Sequence, residues 1–357
     1  MDVYEELRKR LDTHPTGCPE APEILEILAG LYTQEEARVA AVCAFRPKPA
    51  EWVAERAGIS PVEAKELLES MANKGLMYAR EKNGEWGYAL MPIIPGIFEI
   101  PYMHGTKDEN LERLAGLWDS YLKRVMARMS DVEVAHARVV PIQEEVESRA
   151  EVLPYEKVYD MIDKARVVGL VHCACRTAFA NCDAPLEACM AFDDACNYLV
   201  DRGFARYITK DEMKQKLREF DEAGLVHNVN NTGDRLQFIC NCCSCCCGFL
   251  RSVNELEHPN FLATSGYISS VGEDLCNACA VCEDRCPVGA IEVADEVAVV
   301  DTGRCIGCAL CVTGCDVGAV GLVRREELPV TPGNLVEFGK ILLDSRGKLE
   351  EFVEINK

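Results

Sequence analysis

The longest helical pattern of apolar positions lies at residues 108–130. Seven apolar side chains there recur every three or four residues, so they fall on one face of a helix. This pattern predicts one amphipathic helix, and we expect its aromatic residues in the protein core rather than against a cofactor. The face consists of Leu111, Leu114, Leu117, Trp118, Tyr121, Leu122 and Val125.

Shorter helical patterns occur along the rest of the chain. The apolar spacing predicts helices at 22–30, 34–44, 155–168, 207–224 and 333–357. The helix at 207–224 is expected to end at Gly224, because glycine commonly follows the last turn of a helix.

Residues 45–90 combine two helical patterns with a hairpin pattern. Ser60, Pro61 and Glu63 form a start signal for the second helix, and Gly75 is expected to end it. The stretch LMYAREKNGEWGYAL then predicts a strand, an Asn-Gly turn and a second strand. This order of elements resembles the winged helix-turn-helix domain.

In DNA-binding relatives of that domain, the second helix reads the major groove. Here the corresponding helix, 61–74, carries more acidic than basic side chains, and carboxylates would repel the phosphates of DNA. We therefore predict a scaffold or protein-docking role for this segment and no nucleic-acid binding. The charged residues concerned are Glu63, Lys65, Glu66, Glu69 and Lys74.

Two cysteine runs near the C-terminus are near-copies of each other. They read CNACAVCEDRCP at 276–287 and CIGCALCVTGCD at 305–316. Each has the spacing C-x2-C-x2-C-x3-C of bacterial two-cluster ferredoxins. Structural zinc also uses C-x2-C pairs, but zinc does not explain two duplicated four-cysteine runs. The segment 270–325 therefore resembles a two-[4Fe-4S] ferredoxin domain, with short strands at AIEV and VAVVD.

The ferredoxin resemblance implies a crossed set of ligands, in which the fourth cysteine of each run binds the other cluster. The ligands of the first cluster would be Cys276, Cys279, Cys282 and Cys315. Those of the second cluster would be Cys305, Cys308, Cys311 and Cys286. Pro287 stands where the motif has proline, whereas Asp316 stands at the matching place of the second run. That departure is expected to alter the turn or the potential of the first cluster.

A second group of cysteines lies upstream, in the stretches HCACRTAFANCDAPLEACMAFDDAC (172–196) and ICNCCSCCCG (239–248). Their C-x-C-R, C-D-x-P-L-E-x-C and CNCCxCCC patterns resemble a set of iron–sulfur proteins from anaerobes that carry them just before a two-cluster ferredoxin domain. The resemblance covers about 165–325. Cys196 falls outside it and is expected to be structural. The candidate metal ligands are Cys173, Cys175, Cys182, Cys189, Cys240, Cys242, Cys243, Cys245, Cys246 and Cys247.

Three alternatives remain open for these ten thiols. They could hold one or two additional [4Fe-4S] clusters, since ten thiols suffice for two cubanes. They could hold a non-cubane cluster, by analogy with the catalytic subunit of heterodisulfide reductase, whose cysteine spacing differs. They could also be redox-active or zinc-binding thiols. His172 is a further candidate ligand, while Arg176 and Arg251 would either offset cluster charge or pair with carboxylates.

Composition adds limits on partners and location. The net charge is −21, which disfavours nucleic acid and is compatible with docking to basic protein surfaces. The N-terminus lacks a secretory pattern, and no apolar run is long enough to span a membrane. We therefore predict a cytoplasmic protein of an anaerobe, where cysteine groups bind metal rather than form disulfides. The isolated Cys18 and Cys43 are expected to be structural.

These observations predict an α+β multidomain chain. The expected units are a winged-helix-like domain (1–100), a helical connector (101–165), a mainly helical cysteine-rich iron–sulfur domain (166–265), a two-[4Fe-4S] ferredoxin domain (266–325) and a helical tail (326–357).

The predicted function is electron transfer along several [4Fe-4S] clusters, as a subunit of an oxidoreductase complex. No dinucleotide or phosphate-loop motif occurs, so a flavin- or metal-containing catalytic centre is expected on a redox partner protein. One alternative is a reductase with a catalytic cluster or thiol site at 173–247. The other is a redox-sensing winged-helix DNA regulator. The acidic side chains of the helix at 61–74 argue against this alternative.

Overall fold

The computed structural model describes residues 2–129, 132, 134–142, 145, 153, 156–255 and 260–357. Helices and strands are mixed throughout these ranges, which confirms the α+β class. Part of the predicted connector, including 146–152 and 154–155, lies outside the described residues. No helix in the described ranges is long and apolar enough to cross a membrane.

Five α-helices and one hairpin form most of the first ninety residues. They are α1 (Val3–Asp12), α2 (Pro22–Leu31), α3 (Gln34–Val42), α4 (Ala50–Ala57), α5 (Pro61–Asn73), β1 (Met77–Lys82) and β2 (Glu85–Leu90). The hydroxyl of Ser60 accepts a hydrogen bond from the Glu63 N–H at 3.2 Å, so the start of α5 is capped as predicted. Asn83 and Gly84 both have positive φ and close the hairpin. The order of elements matches the prediction for 45–90, while membership of the winged-helix class stays a prediction.

The long helix α6 (Glu109–Met129) occupies the predicted position. Trp118 and Tyr121 are fully buried, as their place in the apolar stripe predicts. The core around them includes side chains of α1–α3 and continues to Ala174 and Tyr198 of the next region. Packing is therefore continuous across the predicted limits near residues 100 and 166, and the domain limits themselves stay a prediction.

Seven strands form one sheet in the order β6-β4-β5-β8-β7-β3-β9. The strands are β3 (Ala137–Val139), β4 (Val168–His172), β5 (Glu187–Phe192), β6 (Ala205–Ile208), β7 (Val226–Asn230), β8 (Phe238–Cys242) and β9 (Leu262–Ala263). The described part of 166–265 therefore combines six of these strands with four helices, and the prediction of a mainly helical region did not include the sheet. These strands are two to six residues long, and the sheet is stabilised by pairing between segments that are distant in the sequence, which local patterns do not record.

The helices of this region flank the sheet or follow its strands. They are α7 (Val158–Lys164), α8 (Ala174–Phe179), α9 (Asp193–Asp201), α10 (Lys210–Glu222) and α11 (Gly248–Glu255). The helix predicted at 207–224 corresponds to α10, and Gly224 follows it with a positive φ. Of the range predicted as a helix at 155–168, residues 158–164 form α7, and Val168 is the first residue of β4.

The two faces of the sheet differ in chemistry. In an antiparallel pair, directly opposite residues point to the same face. Cys240 is opposite both Cys189 and Asn228, and Cys242 is opposite Val226, so these side chains share one face. Aliphatic side chains of the other face, such as Ile239, pack against α7 and α10. The sheet thus turns a row of thiols away from its aliphatic core.

Two antiparallel strand pairs and two short helices form the C-terminal region. They are β10 (Tyr267–Val271) paired with β13 (Val320–Arg324), β11 (Ile291–Ala294) paired with β12 (Val297–Val300), α12 (Val281–Asp284) and α13 (Leu310–Thr313). The strands β11 and β12 occupy the predicted AIEV and VAVVD stretches.

The C-terminal tail contains two helices, α14 (Leu335–Ser345) and α15 (Leu349–Ile355), where the sequence predicts one. Gly347 lies between them with a positive φ of 63°, which ends the first helix. The tail returns to the N-terminal region, since Arg346 Nη2 lies 2.8 Å from Asp12 Oδ1 and the ring of Phe352 stacks on Phe45.

A carboxyl group near the N-terminal core makes stability depend on pH. Burial raises the pKa of Glu99 to about 7, although its Oε2 accepts a hydrogen bond from the Gly96 N–H at 2.7 Å. A folded-state pKa above the unfolded value means that stability is present at low pH and is lost as pH rises through about 7.

We expect Glu99→Gln to stabilise the protein at pH 8 by on the order of 1 kcal/mol, because glutamine stays neutral and its oxygen can still accept from Gly96. The gain in melting temperature should shrink as the pH is lowered from 8 to 6. The exposed Glu85→Gln is the matched control and should show no such trend. An equal gain at both pH values would contradict the assignment.

Candidate metal centres

The four cysteines predicted for the first ferredoxin cluster line a single cavity. Cys276, Cys279 and Cys282 come from the first run, and Cys315 reaches the cavity from the end of the second run. Cys279 is exposed and Cys282 is buried, with the other two half-buried. We call these four residues the outer quartet. Asp316, the departure from the motif, is exposed next to Cys315.

The other four ferredoxin cysteines line a second cavity, together with Pro287. Cys286 belongs to the first run and is half-buried, while the other three belong to the second run and are buried. We call this set the inner quartet: Cys286, Cys305, Cys308 and Cys311. The structure thus brings the eight cysteines together in the crossed arrangement, with one member of each run in the other run's cavity.

Hydrogen-bond donors surround the sulfurs of both quartets. The N–H of Ala290 donates to Cys286 Sγ at 3.1 Å, and the N–H of Ala298 donates to Cys276 Sγ at 3.4 Å. The hydroxyl of Ser269 lies 3.1 Å from Cys311 Sγ. Such contacts stabilise thiolates and adjust the potential of a bound cluster. Four thiols around each cavity, with donors at the sulfurs, fit the ligand set of a [4Fe-4S] cluster.

Six of the ten upstream cysteines form a continuous row of thiols, which we call the six-thiol group. It consists of Cys173, Cys175, Cys189, Cys240, Cys242 and Cys247. Hydrogen bonds from Cys175 and Cys189 lower the pKa of Cys173 well below its usual range. The row continues from Cys189 to Cys240 and from there to Cys242. Hydrogen bonds to neighbouring thiols and burial raise the pKa of the other five thiols well above their usual range. The thiolate is the metal-binding form, so a metal bound here would displace the protons of these thiols.

The remaining four cysteines form a compact group beside the six-thiol group. The sulfurs of Cys182, Cys243, Cys245 and Cys246 all lie within 4.8 Å of one another. Cys182 and Cys243 are 3.6 Å apart, and Cys245 and Cys246 are 3.7 Å apart. A hydrogen bond from Cys246 lowers the pKa of Cys243 to about 5. We call these residues the four-thiol group.

A buried arginine lies between the six-thiol group and the four-thiol group. Arg176 is 3% exposed, and its Nη2 donates to the carbonyl oxygen of Asn241 at 2.9 Å. Its Nε and Nη1 have no hydrogen-bond partner among the described residues. Burial acts to lower the pKa of Arg176, but the nearby thiolates outweigh it and raise the pKa above its usual range. Those thiolates include Cys173 and Cys243, one from each group.

Other residues singled out from the sequence lie apart from the thiols or serve the core. Arg251 pairs with carboxylates, since its Nη1 lies 2.6 Å from Asp119 Oδ1. His172 Nδ1 lies 3.3 Å from the carbonyl oxygen of Met103. Cys18, Cys43 and Cys196 are fully buried in the N-terminal core.

Sequence reasoning missed Asn241, which stands between Cys240 and Cys242. It is fully buried, and its Nδ2 donates to the carbonyl oxygen of Ala188 at 2.7 Å. Its Oδ1 lies 2.6 Å from His227 Nδ1. The sequence feature that could have identified it is a polar residue with a cysteine on each side, at an inward-facing position of a strand.

The inner quartet and the six-thiol group share one apolar contact region. Cys242 and Cys247 pack in the same buried cluster as Cys305 and Cys308. Cys282 of the outer quartet and Cys311 of the inner quartet share another cluster. The three sets of thiols therefore follow one another from the exposed Cys279 to the interior of the sheet.

Comparison with known families supports the iron–sulfur interpretation of the C-terminal segment. Residues 270–292 match the family described as 4Fe-4S binding domain. This segment is ferredoxin-like. The match contains the first cysteine run. With the cysteine groups described above, it indicates an iron–sulfur protein with an electron-transfer role. Neither the curated proteins nor the solved structures contain a match to this chain.

Proposed function

We propose that this chain is an electron-transfer protein that passes single electrons between a redox partner and an interior iron–sulfur centre. The observation that carries the proposal is the crossed pair of quartets, in which Cys315 and Cys286 each line the other run's cavity. A bound [4Fe-4S] cluster supplies reversible one-electron transfer without bond-making chemistry. The chain itself holds the thiols in place and supplies hydrogen-bond donors to their sulfurs. It also determines how far each set of thiols is exposed to solvent.

The decreasing exposure of the three sets of thiols supports an electron route that runs between the surface and the interior of the molecule. Cys279 is exposed, the inner quartet is mostly buried, and the six-thiol group lies beneath it against the sheet. The outer quartet is thus the part of the route that a partner can approach. The six-thiol group is the interior end, and we propose that it holds an additional iron–sulfur cluster. Six thiols with the buried cation of Arg176 beside them fit an anionic cluster.

Iron and sulfide analysis tests this function. We expect more than about eight irons and a matching amount of acid-labile sulfide per chain in protein prepared without oxygen, with about eight irons from the two [4Fe-4S] clusters and the rest from the additional centre. Fewer than about eight irons in protein that retains its native melting transition would contradict the proposal.

The partner is proposed to be a flavin- or metal-containing catalytic protein with a basic docking surface. Exposed acidic residues surround the outer quartet, and exposed Leu275, Val281 and Val317 lie among them. A basic surface would be attracted by the carboxylates, and the apolar side chains would then be covered at close range. The acidic residues are Glu273, Asp274, Glu283, Asp284 and Asp316.

We expect electron transfer from the reduced protein to a basic haem protein such as a cytochrome c to slow several-fold as salt is raised from about 20 to about 300 mM, because ions screen the attraction. Stopped-flow absorbance measures the rate. The variant Glu273→Lys/Asp274→Lys should react more slowly at low salt, whereas Glu354→Lys in the exposed tail should not. A rate that is independent of salt would exclude this surface as the docking site.

A second candidate function is a reductase whose reactive site is the six-thiol group. The observation that favours it is that this group offers two thiols more than a cubane cluster binds. A free thiol or an open iron position beside a cluster would be needed. EPR and a structure of the loaded protein showing every iron there fully ligated by protein and sulfide would exclude this candidate.

The alternative of a DNA regulator is disfavoured by the surroundings of α5. Glu69 of this helix accepts hydrogen bonds from Tyr88 and from Arg202, and Arg202 belongs to the region after α9. The hydroxyl of Tyr198 donates to the carbonyl oxygen of Ala72. The C-terminal half of the helix is therefore engaged by its own chain, which supports a scaffold role for 45–90. A gel shift at low salt with reduced or oxidised protein would contradict this view.

A further inference from the structure

The four-thiol group is too compact for a cubane cluster and has the size of a site for one metal ion. A tetrahedral ion with metal–sulfur bonds of about 2.3 Å sets sulfur–sulfur separations of about 3.8 Å. The separations of 3.6 Å between the sulfurs of Cys182 and Cys243 and 3.7 Å between those of Cys245 and Cys246 lie close to that value. In a cubane, each thiolate binds a different iron at a different corner, so the sulfurs stand further apart.

The spacing of the four sulfurs can be compared with that of the two ferredoxin quartets in the same chain. All four sulfurs of the four-thiol group lie within 4.8 Å of one another. No other set of three or more histidine, cysteine or carboxylate ligand atoms in the described ranges is gathered so closely, and this includes both ferredoxin quartets. The quartets, which fit [4Fe-4S] clusters, are therefore wider than the four-thiol group.

The six-thiol group and the four-thiol group are separated at the end of strand β8. Cys240 and Cys242 lie on the thiol-bearing face of β8, and Cys242 packs toward the inner quartet. Cys243 comes after the strand and packs with the aliphatic cluster of the opposite face. The four-thiol group is thus not in the apolar region that connects the quartets to the six-thiol group, which argues against a role in the electron route.

The group joins two segments that are distant in the sequence. Cys182 lies in the loop after α8, 61 positions before Cys243. The side-chain amide of Asn181 donates to the carbonyl oxygen of Cys245 at 3.1 Å and holds the loop against the turn. Arg176, buried and with two nitrogens unpartnered among the described residues, offsets the negative charge of four thiolates around a divalent ion.

We propose that Cys182, Cys243, Cys245 and Cys246 hold one zinc ion, which fastens the loop after α8 to the turn after β8. Four thiolates in a closed tetrahedral arrangement are a structural zinc site, and zinc adds no redox chemistry. The run CNCCSCCC would then serve two centres, three of its cysteines in the six-thiol group and three at the zinc. This inference does not depend on the electron route proposed above.

Metal analysis of variants tests the zinc site directly. We expect about one zinc per chain in the full-length protein prepared without oxygen in iron-sufficient medium. Cys245→Ala should lose that zinc while its iron content stays unchanged. Cys196→Ala, which removes a buried cysteine of the core, should keep both metals. If Cys245→Ala loses about four irons, the group is a cluster site and the proposal is wrong.

If Cys245→Ala does not fold, X-ray absorption at the zinc edge of the unmodified protein tests the proposal instead. The unmodified protein should show four sulfur neighbours at about 2.3 Å. Replacing zinc by Co²⁺ should give the intense visible absorption of a tetrahedral tetrathiolate site. Absence of zinc from the unmodified protein, or one iron in its place, would overturn the assignment to zinc. Either result would leave the iron count of the two quartets, and so the proposed function, unaffected.

Discussion

Replacing Cys315 by alanine is expected to empty the outer quartet, although Cys315 belongs to the second cysteine run. Cys315 lines the cavity formed by Cys276, Cys279 and Cys282, so its loss removes one corner ligand from that cluster. Iron content should fall by about four per chain, and the EPR signal of one cluster should disappear on reduction.

A pair of variants separates the crossed arrangement from the simpler one. If Cys279 and Cys315 hold the same cluster, the double variant Cys279→Ala/Cys315→Ala should lose no more iron than either single variant. If each run bound its own cluster, the double variant would lose about eight irons instead of about four. Cys18→Ala, which changes a buried cysteine of the N-terminal core, is the matched control and should retain all iron.

Replacing Arg176 by glutamine is expected to be the most damaging change at the upstream cysteines. The guanidinium is 3% exposed and lies among the thiolates of the six-thiol and four-thiol groups. Without it, the negative charge of both groups is left uncompensated in the interior, and removing one partner of a buried charge interaction typically costs about 3–5 kcal/mol. We expect a large fall in melting temperature and loss of the iron bound by the six-thiol group.

Two controls identify charge as the cause. Arg176→Lys keeps a positive charge and should therefore retain more iron than the glutamine variant. It loses the hydrogen bond that the guanidinium donates to the carbonyl oxygen of Asn241. Arg166→Gln changes an exposed arginine that pairs with Asp194 on the surface, and it should have little effect. Unchanged iron content and melting temperature in Arg176→Gln would show that the groups do not carry the charge proposed here.

Local sequence patterns anticipated much of the N-terminal and C-terminal regions. The apolar stripe through Trp118 and Tyr121 predicted α6, because a helix buries residues at its own period and the pattern records that period. Likewise, the two-residue gaps of each ferredoxin run confine three thiols to one tight loop. The structure gathers those thiols around one cavity, with the fourth turned to the other.

The middle region could not be predicted in this way. Its strands β4, β5 and β8 are held by pairing across long stretches of chain, as between Cys189 and Cys240. Cysteine and asparagine in β8 also obscure the alternation of apolar and polar residues that marks a strand. The division of ten thiols into six and four follows from strand faces and from the loop that brings Cys182 to Cys243. No spacing within CNCCSCCC contains that information.

The central claim is that both ferredoxin quartets hold reducible [4Fe-4S] clusters in close succession. An anaerobic reductive titration of the unmodified protein followed by EPR tests it most directly. Each quartet should take up one electron, so reduction should give signals of at least about two spins that are broadened by coupling between neighbouring clusters. A single uncoupled signal, or no signal after complete reduction, would contradict the account.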